Sequence, residues 1–369
     1  MKCLRTLILV ISALFSTCSW SKEIRWTHFG QRPLGMGNAY VAVADDYNAL
    51  FYNPAGLARI KEWDGELINP AFEIAKATVD FTKELSTLQA GSTDGISKVL
   101  DIFQGQTGKV HHGAMYMTPH FIMRNWGLGI GMELSASLVT HSNINIEFDA
   151  GMKSIMPLTY AMNFLDDKLS IGASLKFLAR SGIDHSFTIQ TISLFSSDSE
   201  DGVSKLFEAG YGYGLDIGML FTPIETMEPT LGISIVDFGG SKFTAVNVSG
   251  SSNNNPRAPA TRLPAVNTGV SIKPIMTDAM YVMAAVDAHV INRPEHFSHK
   301  FNLGLEWGYS DIIKIQAGLK EGYATAGFQF DVGLLNMRFT SYAVDHAPIV
   351  GTHNDLVERR YALQIKLLI

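Results

Sequence analysis

Leu128-Gly129-Ile130-Gly131-Met132-Glu133-Leu134-Ser135-Ala136-Ser137-Leu138 decides the fold. Every even position is apolar, and the odd positions are Gly, Glu or Ser. A period of two is that of a β-strand with one greasy face and one small or polar face. The pattern returns at Leu169, Ile171, Ala173, Leu175, Phe177 and Ala179, set against Ser170, Gly172, Ser174, Lys176 and Arg180. Tyr211 to Phe221, Phe301 to Trp307 and Tyr361 to Ile369 repeat it. Each stretch spans about 9–12 residues, the length a tilted strand needs to cross a bilayer. The second face is mostly Gly and Ser with scattered charges, which suits a crowded barrel interior better than a solvated sheet.

The connections support the same reading. Arg124-Asn125-Trp126, Asp166-Asp167-Lys168, Tyr309-Ser310-Asp311 and the segment around Gly333-Leu334 are short, whereas Thr82 to Val110, Arg180 to Leu206, Gly239 to Arg262 and Val344 to Glu358 are long. Short and long alternate along the chain, as short inner turns and long outer loops do in outer-membrane barrels. The expectation is an all-β fold, a transmembrane antiparallel β-barrel of about 14 strands. Its strands include Glu66–Phe81 first, Ile155–Leu165 and Lys168–Arg180 in the middle, and Arg359–Ile369 last.

Composition agrees. Hydrophobic residues make up 46% of the 369 residues, and mean hydropathy is +0.11. No apolar run after Ser21 is long enough for a membrane helix. The net charge of −6 argues against a nucleic-acid partner. Lys2 and Arg5 before the apolar run Leu7 to Phe15, then Ser19-Trp20-Ser21, read as an export signal over residues 1–21, cleaved after Ser21. Both cysteines, Cys3 and Cys18, fall inside it, so the mature chain has no thiol for a disulfide or a metal. Phe15-Ser16-Thr17 is a poor context for lipidation of Cys18.

Residues 22–62 are not strand-like. Gly35-Met36-Gly37-Asn38-Ala39, Asp45-Asp46 and Asn53-Pro54-Ala55-Gly56 read as short helical pieces broken by turns. Such a segment before a barrel, here residues 63–369, is expected inside it as a plug, or hatch. Ile96, Val99, Leu100 and Phe103 suggest a helix from Thr93 to Gly105 on the outer rim.

Gly35-Met36-Gly37-Asn38-Ala39, Ala44-Asp45-Asp46 and Tyr52-Asn53-Pro54-Ala55-Gly56-Leu57-Ala58 resemble the N-terminal hatch of the FadL-type long-chain fatty-acid transporters. The form with Tyr before Asn-Pro-Ala and Gly-Leu after it is more similar to the shorter PorV/PorQ-like barrels. Gly304-Leu305-Glu306-Trp307 and Ala317-Gly318-Leu319-Lys320 follow the rhythm of that group's C-terminal half. The resemblance implies a fourteen-stranded barrel with a hatch in the outer membrane of a Gram-negative cell, facing lipopolysaccharide and inserted by the barrel-assembly machinery. It implies passive uptake of a hydrophobic small molecule or lipid, such as a long-chain fatty acid, gated by the hatch. The alternative is a barrel that docks secreted proteins or a secretion-system protein. Candidate gate residues are Gly35, Gly37, Asn38, Asp45, Asp46, Asn53, Pro54, Ala55 and Gly56. Two departures are the short chain and the terminal Ile369, where assembly signals usually carry an aromatic residue.

Enzymatic chemistry is not expected, nor a cofactor or metal. Gly127-Leu128-Gly129-Ile130-Gly131 lacks the third glycine and the following helix of a nucleotide loop, so these read as inward strand glycines. His111, His112, His296 and His299 read as solvated residues in or beside loops. No Ser/His/Asp set can be assigned from spacing.

Overall fold

The structure, a computed structural model, describes residues 30–86, 105–140, 146–187, 206–247, 257–294, 297–310, 312–332, 335–346 and 357–367. The export signal, the rim helix up to residue 104, His296, the Gly333-Leu334 turn and Ile369 lie outside them.

Fourteen antiparallel crossings close into a barrel. The first three are β1 (Asp64–Glu66 and Ala71–Ala75), β2 (Val110–Met117 and His120–Met123) and β3 (Trp126–Gly129 and Gly131–Thr140). Then come β4 (Ile146–Phe164), β5 (Leu169–Phe187), β6 (Phe207–Phe221), β7 (Thr230–Val236) and β8 (Ala265–Met276). The rest are β9 (Met280–Ala288), β10 (Phe301–Tyr309), β11 (Ile313–Lys320), β12 (Tyr323–Val332), β13 (Leu335–Asp345) and β14 (Val357–Leu367). Closure is explicit, because Tyr361 of β14 pairs with Ile74 of β1, so the last strand joins the first along Ala71–Ala75.

Alternation places side chains as the sequence requires. In β10 the residues Phe301, Leu303, Leu305, Trp307 and Tyr309 point outward, and Asn302, Gly304, Glu306 and Gly308 are buried. An apolar outer face with polar groups turned inward is the arrangement a bilayer imposes on a barrel.

Three expectations are corrected. The first strand does not run on to Phe81: strand ends at Ala75, and an α-helix, α3, occupies Lys76–Ser86. Lys76 and Asp80 pair across one helical turn there, a local contact that extended backbone cannot make. The central strands are longer than read, 19 residues each in β4 and β5. Their added residues include Glu147, Asp149, Asp184 and His185, where the apolar alternation fails but the ladder continues. Loop lengths alternate less strictly than expected, since β11 and β12 join at the long-loop end through only Glu321-Gly322, both at positive φ.

Among the described residues, three neighbouring strands of the wall break together. β1 breaks between Glu66 and Ala71, β2 at Thr118-Pro119, and β3 at Ile130. Pro119 has no N–H for the ladder. Asn69 fills the gap by donating to the Thr118 carbonyl at 2.8 Å and accepting from the Thr118 N–H at 2.7 Å. The Ile130 N–H donates to the Pro119 carbonyl at 2.8 Å.

The lipid-facing reading is testable by depth. Leu305→Arg, in the middle of β10, should cost about 2–4 kcal/mol, and Phe301→Arg at its end about 0–1 kcal/mol. Urea unfolding in phospholipid vesicles measures both; equal costs would contradict the placement.

Candidate functional site

The N-terminal segment lies inside the barrel, in the half nearer the short turns. It consists of α1 (Gln31–Gly35), α2 (Ala49–Tyr52) and a 3₁₀ turn over Pro54–Arg59. Met36, Tyr40, Tyr47, Leu50 and Leu57 form its core together with Ile122, Ala161 and Met283 of the wall.

The wall's inward glycines make room for it. A Cβ on Gly304 would lie 2.5 Å from the Met36 carbonyl oxygen, and one on Gly172 would lie 2.5 Å from that of Pro54. Gly127 and Gly129 face Leu50, which explains why that glycine run sits in a strand. Gly37 and Asn38 both take positive φ, a region that Gly, and then Asn, occupies at least cost. Gly37 also fits where any Cβ would strike the Leu303 carbonyl oxygen.

Each candidate residue has a definite place. The Gly35 carbonyl accepts from Thr325 Oγ1 at 2.9 Å. Asn38 Oδ1 accepts from the Tyr52 hydroxyl at 2.6 Å. Asn53 is fully buried and bonds in several directions. Its Nδ2 donates to the carbonyls of Val41 (2.8 Å), Met219 (3.2 Å) and Ile233 (3.4 Å), and its Oδ1 accepts from the Ala55 N–H. It therefore caps its own turn, joins two parts of the hatch and grips the β6–β7 seam. Pro54 opens the 3₁₀ turn, where its missing N–H costs nothing. A Cβ on Gly56 would overlap the Ala44 carbonyl oxygen at 1.9 Å.

Asp45 and Asp46 meet Arg32, which the sequence reading did not single out. Arg32 is buried. Its Nη1 donates to Asp45 at 2.6 Å, Asp46 at 3.0 Å and the Tyr40 hydroxyl at 2.6 Å. Its Nε and Nη2 form a two-pronged bond with Glu306 of β10, at 2.8 and 2.7 Å. Tyr281 and Gln316 also donate to Glu306. Desolvation opposes charge on the buried Arg32 and, though its side chain keeps an open edge, on Asp45. Arg32 nevertheless holds the Asp45 carboxyl down at about 2, and Asp45 and Glu306 push the Arg32 guanidinium above its ordinary value. Beside this set, Asp287 of β9 accepts from the N–H groups of Tyr40 (2.6 Å) and Val41 (2.7 Å). An arginine in a segment otherwise small and apolar, ahead of an acidic pair, was the available signal.

The histidines differ from expectation. His112 begins inside β2 and points inward, so it is not solvated. It lies 3.0 Å from Glu73 and bonds to Ser137 and Arg360. His111 is half-buried against Phe81, and His299 lies 3.6 Å from Asp345.

Toward the long loops the lumen changes character. Ala71, Tyr116, Ile155, Leu178 and Phe243 form a second buried apolar cluster, and Phe51 of the hatch touches both it and the hatch core. Phe243 comes from a short strand (Phe243–Ala245) paired with β6. Flanking charges are paired: Lys176 with Asp216 at 2.6 Å and Asp237 at 2.9 Å, Lys153 with Glu133, and Arg360 with Glu73 and Glu358.

No protein-family model and no curated protein matches the sequence. Among solved structures, the chain is similar to the CymD monoaromatic hydrocarbon channel, with a TM-score of 0.52 and 13% identity over 92% of this chain and 97% of that one. It is also similar to the toluene transporter TodX of Pseudomonas putida, with a TM-score of 0.50 and 11% identity over 93% and 98%. At such identities the likeness is one of fold. The fold expected from the FadL-type resemblance is the fold of this chain.

Removing one partner of a buried pair strands the other. Arg32→Met should therefore cost about 3–5 kcal/mol and make the hatch open to proteolysis. Arg32→Met with Glu306→Met should recover much of that loss, as thermal unfolding would show. Acid tests Asp45. Its folded value lies below the ordinary 3.8, so its contribution is complete above that pH and fades as pH falls toward about 2. Hydrogen exchange in residues 31–46, corrected for intrinsic rates, should accelerate in that window and not above it.

Proposed function

We propose that the chain is an outer-membrane channel for passive uptake of hydrophobic compounds, long-chain fatty acids among them, with the hatch as its gate. The observation that carries this reading is the apolar cluster of Phe51, Tyr116, Ile155, Leu178 and Phe243 in an otherwise polar lumen. It lies on the long-loop side of the hatch and is continuous, through Phe51, with the hatch core around Tyr52 and Leu57. A barrel used only to dock proteins has no need of a dry patch there, so the patch favours transport over the docking reading.

Physical logic supports it. A polar lipopolysaccharide layer obstructs apolar solutes, and a dry protein path offers them an alternative. The solute enters from the long-loop mouth and displaces no charge, because the neighbouring Lys and Arg side chains are held by carboxylates. It then rests against Phe51. A local shift around Asn53-Pro54-Ala55 lets it pass on. Similar folds in proteins described as a monoaromatic hydrocarbon channel and a toluene transporter point the same way.

Flux into vesicles carrying the full chain tests the reading with labelled toluene, a long-chain fatty acid and sucrose. At least one hydrophobic probe should enter much faster than into empty vesicles, and sucrose should not. Leu178→Arg, which puts a charge in the dry patch, should slow that probe about tenfold or more. Asn53→Ala, which frees the β6–β7 seam from the hatch, should raise its flux. Equal entry with and without the protein for both hydrophobic probes would end the proposal.

A further inference from the structure

We infer that Asp64, Glu66 and His120 form a divalent-cation site, suited to zinc, that ties the interrupted wall to the hatch. Asp64 and Glu66 are two residues apart in β1 and so share a face. Glu66 pairs directly with His120 in β2. His120 Nε2 lies 3.3 Å from Asp64 Oδ2 and 3.9 Å from Glu66 Oε1, and one ligand atom from each residue lies within 4.8 Å of the others. Two ligands at about 2.0–2.1 Å from a tetrahedral ion are about 3.3–3.4 Å apart. The His120–Asp64 separation has that value.

The surroundings of His120 point to a cation. Its Nδ1 is 2.8 Å from the Thr118 carbonyl oxygen. A carbonyl can only accept, so Nδ1 carries the proton. That bond aims Nε2 at the two carboxylates, with Asp64 Oδ2 at hydrogen-bonding distance, as in histidines oriented for a metal by a second partner. The His120 side chain is fully buried and that of Glu66 is 2% exposed. Glu66 Oε2 accepts from Asn69, and Oε1 is turned toward His120 and the Lys366 ammonium. The Asp64 side chain is 43% exposed, which gives the ion an entry and room for water. With Glu66 Oε1 drawn in from 3.9 Å, the set supplies one histidine and two carboxylates around an ion with an open position.

One cation already competes. The Lys366 ammonium of β14 lies against Glu66 Oε1. The incoming ion must displace it, and this makes the proposal specific. The site also reaches the hatch: the Tyr47 ring stacks on His120 with centroids 4.3 Å apart and planes 13° from parallel. The Tyr47 hydroxyl accepts from Arg338 Nη1 at 3.1 Å. An ion that fixes the imidazole therefore fixes the surface on which this part of the hatch rests, beside the Thr118-Pro119 break.

Calorimetry on the metal-free full chain in detergent tests this with zinc and, separately, magnesium. One zinc should bind per chain, and magnesium, which shuns imidazole ligands, should bind at least about a hundredfold more weakly. His120→Gln should weaken zinc about a hundredfold. Asp64→Asn, a change at a half-exposed side chain that should not disturb folding, should weaken it about tenfold. Lys366→Met should tighten it about tenfold by removing the competitor, and His346→Gln at the opposite end should change nothing. Zinc should also slow hydrogen exchange in residues 44–52 of the unmodified chain but not of His120→Gln. If neither the unmodified chain nor Lys366→Met binds zinc, the inference is overturned, and His120 serves only as a hydrogen-bond partner of Asp64. Zinc binding unaffected by His120→Gln and Asp64→Asn overturns it equally. Neither result bears on hydrophobic flux.

Discussion

A strand whose outer face meets hydrocarbon can satisfy its polar groups only from within. That constraint organises this chain. Glu306 and Asp287 point inward from adjacent strands, and what meets them is the hatch: the Arg32 guanidinium for one, the Tyr40 and Val41 amides for the other. Without the hatch, two carboxylates would stand in the lumen short of partners. The hatch is therefore half of the barrel's interior rather than an object lodged in a finished pore. The inward glycines say the same thing sterically, since Gly172, Gly304 and Gly318 each leave room for a backbone that a methyl group would exclude.

The same constraint explains what the sequence disclosed. Where lipid faces a strand, alternation is enforced, so the fourteen crossings could be counted. Where the ladder rises beyond that region, the enforcement lapses. Glu147, Asp149 and Asp184 then carry no pattern, although β4 and β5 continue through them. The helix at Lys76–Ser86 escaped for a related reason: its apolar residues, Val79 and Phe81, also fit a period of two. Only the Lys76–Asp80 spacing favours the helix. The wall break escaped as well. Leu128 and Leu134 stay outward and Gly131 inward on either side of Ile130, so parity survives where the pairing does not.

In the hatch, residues with a backbone reason were legible, and the acidic pair Asp45-Asp46 stood out by its charge, but the cation that joins it was not. Gly37, Asn38, Pro54 and Gly56 announce turns by type, and they sit at positive φ, at the head of a 3₁₀ turn, or against a carbonyl. Arg32 has no local mark. Its meaning depends on Glu306, which is 274 positions away. His112 and His120 looked like surface residues or went unremarked for the same reason. Their partners, Glu73 and Asp64, lie on the preceding strand, across the long connection, and come opposite them only when β1 and β2 pair.

The hatch is held unevenly, and this bears on how it could yield. Toward β6 through β12 it is tied by bonds that involve its main chain or a buried ion pair: Asn53 at the β6–β7 seam, Ser271 on Ala42, Asp287 on Tyr40 and Val41, Glu306 on Arg32, and Thr325 on Gly35. Toward β2 and β3 its contacts are the stacked ring of Tyr47 on His120, the packing of Leu50 and Leu57 on Ile122 and Gly127, and a main-chain bond from the Asn125 N–H to the Leu57 carbonyl at 3.0 Å, next to the stretch of wall where β1, β2 and β3 all lose their ladder. Expelling the whole segment would break every one of the first set at once, including a buried charge pair whose loss alone costs about 3–5 kcal/mol. Sliding the Tyr47 ring off His120 breaks none of that set and gives up one bond, from Arg338 to the Tyr47 hydroxyl. The cheaper motion leaves α1, the Arg32–Asp45–Asp46 set and the 3₁₀ turn in place and moves only the Tyr47 ring away from the β1–β2 break, so the two sides of one small domain play different mechanical parts.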